Sequence, residues 1–338
     1  MRFTDSQIKE IKMYILENIS QNAAEISKSV SETFSINQNT VHKYINELAA
    51  EGIITRIKRG QYALVTRTHE YDLSRQNGDL RTDTYAYEHY LLPHMTDLRT
   101  DTLSIWDYVI CEMLNNVMDH SSAEHFKLIL EQNYLTTRLY IIDNGVGIFD
   151  KIKNHFDFAS LDEAICELFK GKLTTDSDNH SGEGIFFSSK LMDDFFIISG
   201  GKIFTSNKYD DSLILSLASA PASGTTVIMS LSNYTHKKAK EVFDMYSNDD
   251  GEFIKTRLPL KNIFAASPVS RSQANRICSR LEKFKEVTLD FDELQWMGQG
   301  FAHQLFVVFA KKHPEINLQP INMNEDVAKM YHHVMASS

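Results

Sequence analysis

The chain has 338 residues, room for two or three domains of ordinary size. Its 42% apolar and 24% charged residues are those of a soluble globular protein, and no apolar run approaches the roughly 18–20 residues that span a bilayer, which excludes a membrane partner. The net charge of −10 is unevenly spread: residues 1–71 carry nine basic and eight acidic side chains, residues 72–262 eighteen against twenty-nine, and residues 263–338 eight of each. The acidic centre repels nucleic acid in bulk, so any DNA contact has to come from a local patch elsewhere.

The first residues, MRFTDSQIKEIK, contain no apolar signal-peptide core. Cys111, Cys166 and Cys278 are scattered without CxxC spacing, as expected of reduced thiols in a cytoplasmic protein rather than a disulfide frame or zinc site. From Asp5, "DSQIKEIKMYILENI" places Ile8, Ile11, Tyr14, Ile15 and Ile19 at helical spacing, with Asp5 or Ser6 as the cap. "AAEISKSV" predicts a second short helix, and "NQNTVHKYINELAAEG" a third with Val41, Ile45 and Leu48 inward. "IITRIKRGQYALV" alternates about Arg59-Gly60 as a hairpin does. Three helices and a two-stranded wing over residues 1–70 resemble a winged helix-turn-helix. That resemblance implies a DNA or protein partner, with Asn39, Thr40 and Lys43 at the start of the recognition helix and Lys43, Arg56, Lys58 and Arg59 placed to meet phosphates. A charge of +1 is weak for a DNA binder, and many winged helices bind protein. Residues 71–85 are polar and read as a linker.

In the middle block, "IWDYVICEMLNNVMDHS" has Ile105, Val109, Met113 and Val117 four apart, a helix with one buried stripe. Glu112, Asn116 and Asp119 fall at i, i+4 and i+7, on one face. An amide oxygen there can ligate a hard cation and a carboxylate can orient water, although such residues on a helix are most often only solvated. Two apolar strands then end in Asp143-Asn144-Gly145-Val146-Gly147, where glycines let backbone approach a flat ligand and Asp143 offers an acceptor; an ordinary Asp-Asn-Gly turn has the same letters. In "HSGEGIFFSSKLMD", Gly182 and Gly184 open an apolar helix whose free N–H groups can hold phosphate. "SGTTVIMSLS" runs from a Gly-Thr-Thr into a buried strand.

These four blocks, in this order, resemble the N, G1, G2 and G3 boxes of the GHKL ATPase superfamily, with "EMLNN", "DNGVG", "GEG" and "GTT" as the matching motifs. The texture is most similar to anti-sigma-factor serine kinases, through Thr174-Thr175 before Ser181-Gly182-Glu183-Gly184 and Met192-Asp193 after it. The resemblance implies a Bergerat fold over residues 86–262: a mixed sheet, helices on one face, and ATP between a helix and a mobile lid of residues 149–181. It implies that Asn116 holds Mg²⁺, Glu112 is the general base and Asp143 accepts from the adenine amine. Gly145 and Gly147 would let the lid start close to the base. Gly182 and Gly184 would wrap the phosphates, with Thr174, Thr175 and Ser181 in the same boxes, and Thr225 would reach adenine through water. Residues 86–104 are too short for the dimerisation helices and phosphorylated histidine of a histidine kinase, leaving His89 and His94 as packing or surface residues. Lys172 and Lys190 are both candidates for a phosphate contact. Related kinase domains pair, so a homodimer is implied, with the oligomeric state otherwise open.

Residues 263–338 resemble a STAS-like domain (DUF4325), carried by "PVSRSQANRI", "VTLDFDELQWMGQGFAHQLF" and "HPEI". Where phosphorylated relatives place a Ser or Thr, this chain has Met297-Gly298-Gln299-Gly300, so the tail is expected to dock a protein or the ATPase region rather than accept phosphate. Ser267, Ser270 and Ser272 are expected to cap a helix. The fold class expected overall is α+β and multidomain: winged helix-turn-helix, α/β sandwich with a mixed sheet, and a small α/β domain. Three functions compete: an ATP-responsive regulator with slow hydrolysis, a serine/threonine kinase acting on a separate protein, and a DNA-binding scaffold whose nucleotide only stabilises the fold.

Overall fold

The computed structural model describes residues 3–79, 81–173, 182–207, 223–264 and 266–337. The chain divides into two units, each built on its own core. The first comprises Met1–Glu70, Ile129–Leu139 and Ser230–Thr235. Helix α1 (Asp5–Ser20) is capped one residue earlier than its sequence suggests, because Thr4 and Gln7 form a reciprocal capping box that neither Asp5 nor Ser6 makes. Helices α2 (Ile26–Phe34) and α3 (Gln38–Ala50) follow, α3 capped by Asn37, whose side chain accepts from the Asn39 N–H at 2.8 Å. Strands β1 (Ile54–Lys58) and β2 (Gln61–Leu64) pair antiparallel about Gly60, whose φ of +75° suits a residue without a Cβ. Ile11, Ile15, Ile19, Val41, Ile45 and Leu48 meet in one core, and Tyr134 and Leu135 pack against it.

The second unit comprises Tyr71–Leu128, Tyr140–Met229 and His236–Ser338. The chain passes through β3 (Arg67–Ser74), α4 (Asp83–Ala86) and α5 (Thr100–Asn115), so residues 71–74 of the expected linker are strand. Next come β4 (His125–Gln132), β5 (Thr136–Asp143), α6 (Ile148–His155), α7 (Leu161–Lys170), α8 (Gly184–Leu191), β6 (Asp194–Ser199), β7 (Lys202–Phe204) and β8 (Thr225–Ser232). The six strands form one sheet in the order β3-β4-β5-β8-β6-β7. Alternation on β4 and β5 buries Phe126, Leu128, Leu130, Leu139 and Ile141, whereas β8, in the middle of the order, is buried along nearly its whole length.

A second sheet, entirely parallel, runs β11-β10-β9, from β9 (Lys255–Pro259), β10 (Glu286–Asp290) and β11 (Asn317–Ile321). In register, Val287 faces Thr256 on one side and Leu318 on the other. Residues 255–259, which sequence groups with the middle block, therefore belong to the C-terminal sheet: a parallel partner lies a crossover away, where local periodicity does not reach. The helix Arg271–Cys278 opens on a Ser270–Gln273 capping box, and Gln299–His303 continues through a π segment, Gln304–Phe309, to Lys312. The architecture is mixed α+β with several sheets.

Helix α7 joins the two sheets of this unit. It starts at the Ser160 cap and buries every residue from Ala164 to Lys170. The Lys170 ammonium, 1% exposed, donates to Glu167 Oε1 at 2.5 Å and to the carbonyls of Arg276 and Ser279 at 2.9 and 2.5 Å. Those carbonyls lie at the C-terminus of the helix Arg271–Cys278, where a cation offsets both the unpaired acceptors and the helix dipole. Thr256 on β9 donates to the Lys170 carbonyl, and Arg280 adds a contact to Glu167 Oε2 at 3.5 Å. Residues 164–170, in the stretch that the resemblance assigned to the lid, are thus buried, and the carbonyls that Lys170 reaches come from residues more than 100 positions away.

Candidate functional site

Ile105 and Val109 are buried along α5, and Met113, also buried, borders a cavity of about 260 Å³. That volume is near the lower end of the roughly 300–1,000 Å³ of small-molecule sites. Glu112, Asn115 and Asn116 line it from α5 and its end. The helix then changes to a π turn over Asn116–His120. The wider turn brings His120, not Asp119, into line with Asn116; His120 lines the cavity and Asp119 is exposed. Seven-residue spacing on an ideal helix had put Asp119 on that face.

From the sheet come Asp143 at the end of β5, Ile197 on β6, and Thr225 and Val227 on β8. Ile148, Lys151 and Ile152 of α6, Leu168 of α7, and Leu173, Gly182, Gly184 and Ile185 also line it. Asp143 is 4% exposed and accepts the Gly145 N–H at 2.8 Å. Burial pushes its carboxyl above the usual range, and backbone hydrogen bonds from Gly145 and Thr225 only partly oppose that. The Thr225 hydroxyl accepts from the Ile148 N–H at 3.1 Å, tying the start of α6 to β8.

The glycines act by close approach. A Cβ on Gly184 would overlap the Glu112 carboxylate, so that carboxylate rests at the N-terminus of α8. A Cβ on Gly182, at φ +74°, would come within 2.5 Å of the Leu173 backbone. Gly145 and Gly147 do not line the cavity. Gly145 presses on the Ser121 carbonyl and Gly147, at φ +82°, on the Ser199 hydroxyl, so they hold the Asp143 turn against the end of the α5 segment and β6. Thr174, Thr175 and Ser181 lie outside the described residues.

Neither lysine suggested for phosphate lines the cavity. Lys172 sits over the Phe253 and Phe284 rings and donates to the Lys283 carbonyl; Lys190 sits over Phe186, where burial and Arg257 lower its pKa to about 8. The cation in the wall is Lys151, whose Nζ donates to the His120 carbonyl at 2.7 Å and lies 3.4 Å from His120 Nδ1. Sequence reasoning missed both residues; the four-residue spacing of Gly147 to Lys151 and of Asn116 to His120 was the available signal. Burial also raises the carboxyl of Glu183, with Lys172 opposing, and the Tyr108 hydroxyl, with the charges of Glu112 and Glu183 adding to it.

In the first unit, Asn39, Lys43, Arg56, Lys58 and Arg59 are exposed and Thr40 is half-buried. Lys43 pairs with Glu47 at 3.7 Å, and Arg56 Nε donates to the Lys58 carbonyl at 3.5 Å. In the C-terminal sheet, the Asp290 carboxylate takes Arg257 at 2.6 Å and Asn322 at 2.8 Å, and these bonds, with Arg257's charge, hold it below the usual range against its burial.

A family model described as a STAS-like domain of unknown function (DUF4325) matches residues 273–328. The match spans β10, the helix from Gln299 and β11, and does not reach the cavity residues. No curated protein matches the chain. Among the described residues, no helix is long and apolar enough to cross a membrane.

Proposed function

We propose that the cavity binds magnesium–ATP and that its occupancy sets the state of a regulator whose N-terminal unit contacts DNA or protein. The observation that carries this is convergence: Glu112, Asn116, Asp143, Gly182, Gly184 and Thr225, drawn from segments up to 113 positions apart, border one cavity. The residues fit the ligand. Asp143 offers a buried acceptor to an exocyclic amine, with Thr225 beside it. A Cβ at Gly182 or Gly184 would collide with the Leu173 backbone or the Glu112 carboxylate, so both positions need glycine, and the N–H groups at the start of α8 are the ones that would hold phosphate. Mg²⁺ commonly takes only one or two protein ligands plus phosphate oxygens, so the Asn116 amide suffices as the protein's share.

The bound nucleotide supplies a transferable γ-phosphoryl group. Glu112, one helical turn before Asn116, is placed to take a proton from an attacking water. The N-terminal end of α8 and the Asn116 amide orient the phosphate chain, and the apolar wall of Ile148, Ile152, Leu168, Ile185 and Val227 excludes water from the base. A serine hydroxyl of a separate protein can replace water at Glu112, which makes the chain a protein kinase; transfer of γ-³²P to protein rather than release of free phosphate identifies that reading.

Calorimetry with ATP, with and without Mg²⁺, tests the proposal. Asn116→Ala is expected to weaken magnesium–ATP binding, and Glu112→Ala to retain binding while losing turnover. No affinity of the wild-type protein for adenine nucleotides with the metal present overturns it. Binding without any turnover leaves the nucleotide as a stabilising ligand of a scaffold.

A further inference from the structure

We infer that Lys151 is the residue that holds the α-phosphate of the nucleotide, and that it makes the site select nucleotides over nucleosides. The inference rests on the nucleotide reading of the cavity and adds the polarity of the ligand within it. Two anchors fix that polarity along α5 and its π turn. At one end, the Glu112 carboxylate lies against Gly184 at the start of α8, where the terminal phosphate belongs. At the other end, the Ser121 carbonyl lies against Gly145, two residues past the base acceptor Asp143. Glu112 to Asn116 is about 6 Å of α-helix axis, and the π turn carries the chain on to Ser121, so the two anchors stand at opposite ends of the cavity's helical wall.

Asn116, the metal-holding amide, stands between these anchors. One turn on, toward the base, the His120 carbonyl takes the Lys151 ammonium at 2.7 Å. Lys151 therefore sits between the metal position and the base, the interval occupied by the ribose and the first phosphate. The Lys151 ammonium keeps its bond to the His120 carbonyl and gives a donor to the phosphate oxygen in exchange for its longer contact with His120 Nδ1. Its position at i+4 from Gly147 is set by α6, whose start is tied to Thr225. The cavity also brings two carboxylates, Glu112 and Asp143, to its wall, so a polyphosphate entering it needs a cation in addition to the metal.

The test measures affinity of the full chain for ATP, AMP and adenosine, with Mg²⁺, for the wild type, Lys151→Met and Lys151→Gln. A charge-assisted bond to phosphate predicts a loss of about tenfold or more for both ATP and AMP, with adenosine changed less than about twofold. Lys151→Arg is expected to recover most of the loss. Equal losses for ATP and adenosine, or no loss, overturn the inference and leave the nucleotide site standing. A loss for ATP with AMP unchanged moves Lys151 to the outer phosphates and overturns the α-phosphate assignment. Wild-type protein that binds none of the three overturns the nucleotide reading itself. Should Lys151→Met not fold, Lys151→Gln, which keeps polarity and most of the chain length, gives the same comparison.

Discussion

Replacing Lys170 by Met tests whether the cavity and the C-terminal sheet are one cooperative structure. Methionine keeps the bulk of the stem and removes an ammonium that is 1% exposed. Glu167, 5% exposed at its side chain, then loses its nearest cation and keeps Arg280 at 3.5 Å. The Arg276 and Ser279 carbonyls lose their donor as well. Breaking one partner out of a buried ion pair costs about 3–5 kcal/mol, because the remaining charge is stranded. Burial already raises the Glu167 carboxyl, with Lys170 and then Arg280 opposing, so removing the lysine raises it further. A carboxyl whose folded pKa lies above its unfolded one adds stability below the unfolded pKa and loses it as pH rises through the folded one. The deficit of Lys170→Met is therefore larger at pH 8 than at pH 5. The chain's two tryptophans report on this: Trp106 is fully buried in α5 and Trp296 is 48% exposed in the C-terminal segment. In a Trp296→Phe background, urea unfolding followed by Trp106 fluorescence is expected to shift with Lys170→Met, although α5 makes none of the Lys170 bonds described above. Adding Glu167→Leu is expected to recover part of the loss, since an apolar replacement of both partners is often close to neutral. A shift below about 1 kcal/mol, or a Trp106 transition that does not move, refutes the claim that α7 locks the two sheets together.

Three further outcomes follow from the geometry. If the cavity turns over ATP as proposed, Gly184→Ala, which forces the Glu112 carboxylate from the start of α8, is expected to lower phosphate release by about a hundredfold; an unchanged rate places the general base elsewhere. Asp143→Asn keeps the acceptor for the Gly145 N–H and removes a carboxyl that burial raises, so the variant gains stability over wild type near pH 7–8 and the gap closes toward pH 4; pH-dependent urea midpoints with the opposite trend contradict the buried, charge-averse setting of Asp143. If the N-terminal unit binds DNA, replacing Arg56, Lys58 and Arg59 by Ala is expected to reduce the salt slope of binding by about 0.9 for each phosphate these side chains neutralise; a slope that does not change removes the hairpin from the interface.

Local chemistry made much of the molecule legible in advance. Helical spacing of Ile11, Ile15 and Ile19 and of Val41, Ile45 and Leu48 predicts the buried faces of α1 and α3, and Arg59-Gly60 predicts the hairpin, because each depends on neighbours within a turn or two. The Ser270 cap was readable for the same reason. The cap of α1 was off by a residue, since Thr4 outcompetes Asp5 through a reciprocal bond with Gln7.

What tertiary structure alone decided is non-local. A change of helical type at Asn116–His120 turned Asp119 out of the face that ideal seven-residue spacing from Glu112 gave it, while His120, four past Asn116, lines the cavity. The cavity's cation is Lys151 rather than Lys172 or Lys190, because ring faces and distant carbonyls hold those two elsewhere. Residues 255–259 joined the C-terminal sheet because parallel partners are separated by whole helices, and α7 was fixed by a lysine reaching carbonyls more than 100 residues on. Sequence by itself determines which segments want to be helix, strand or turn, since those preferences act over a few bonds; it is packing, in which groups far apart in the chain compete for the same few donors and the same small volume, that selects which side chains share the cavity.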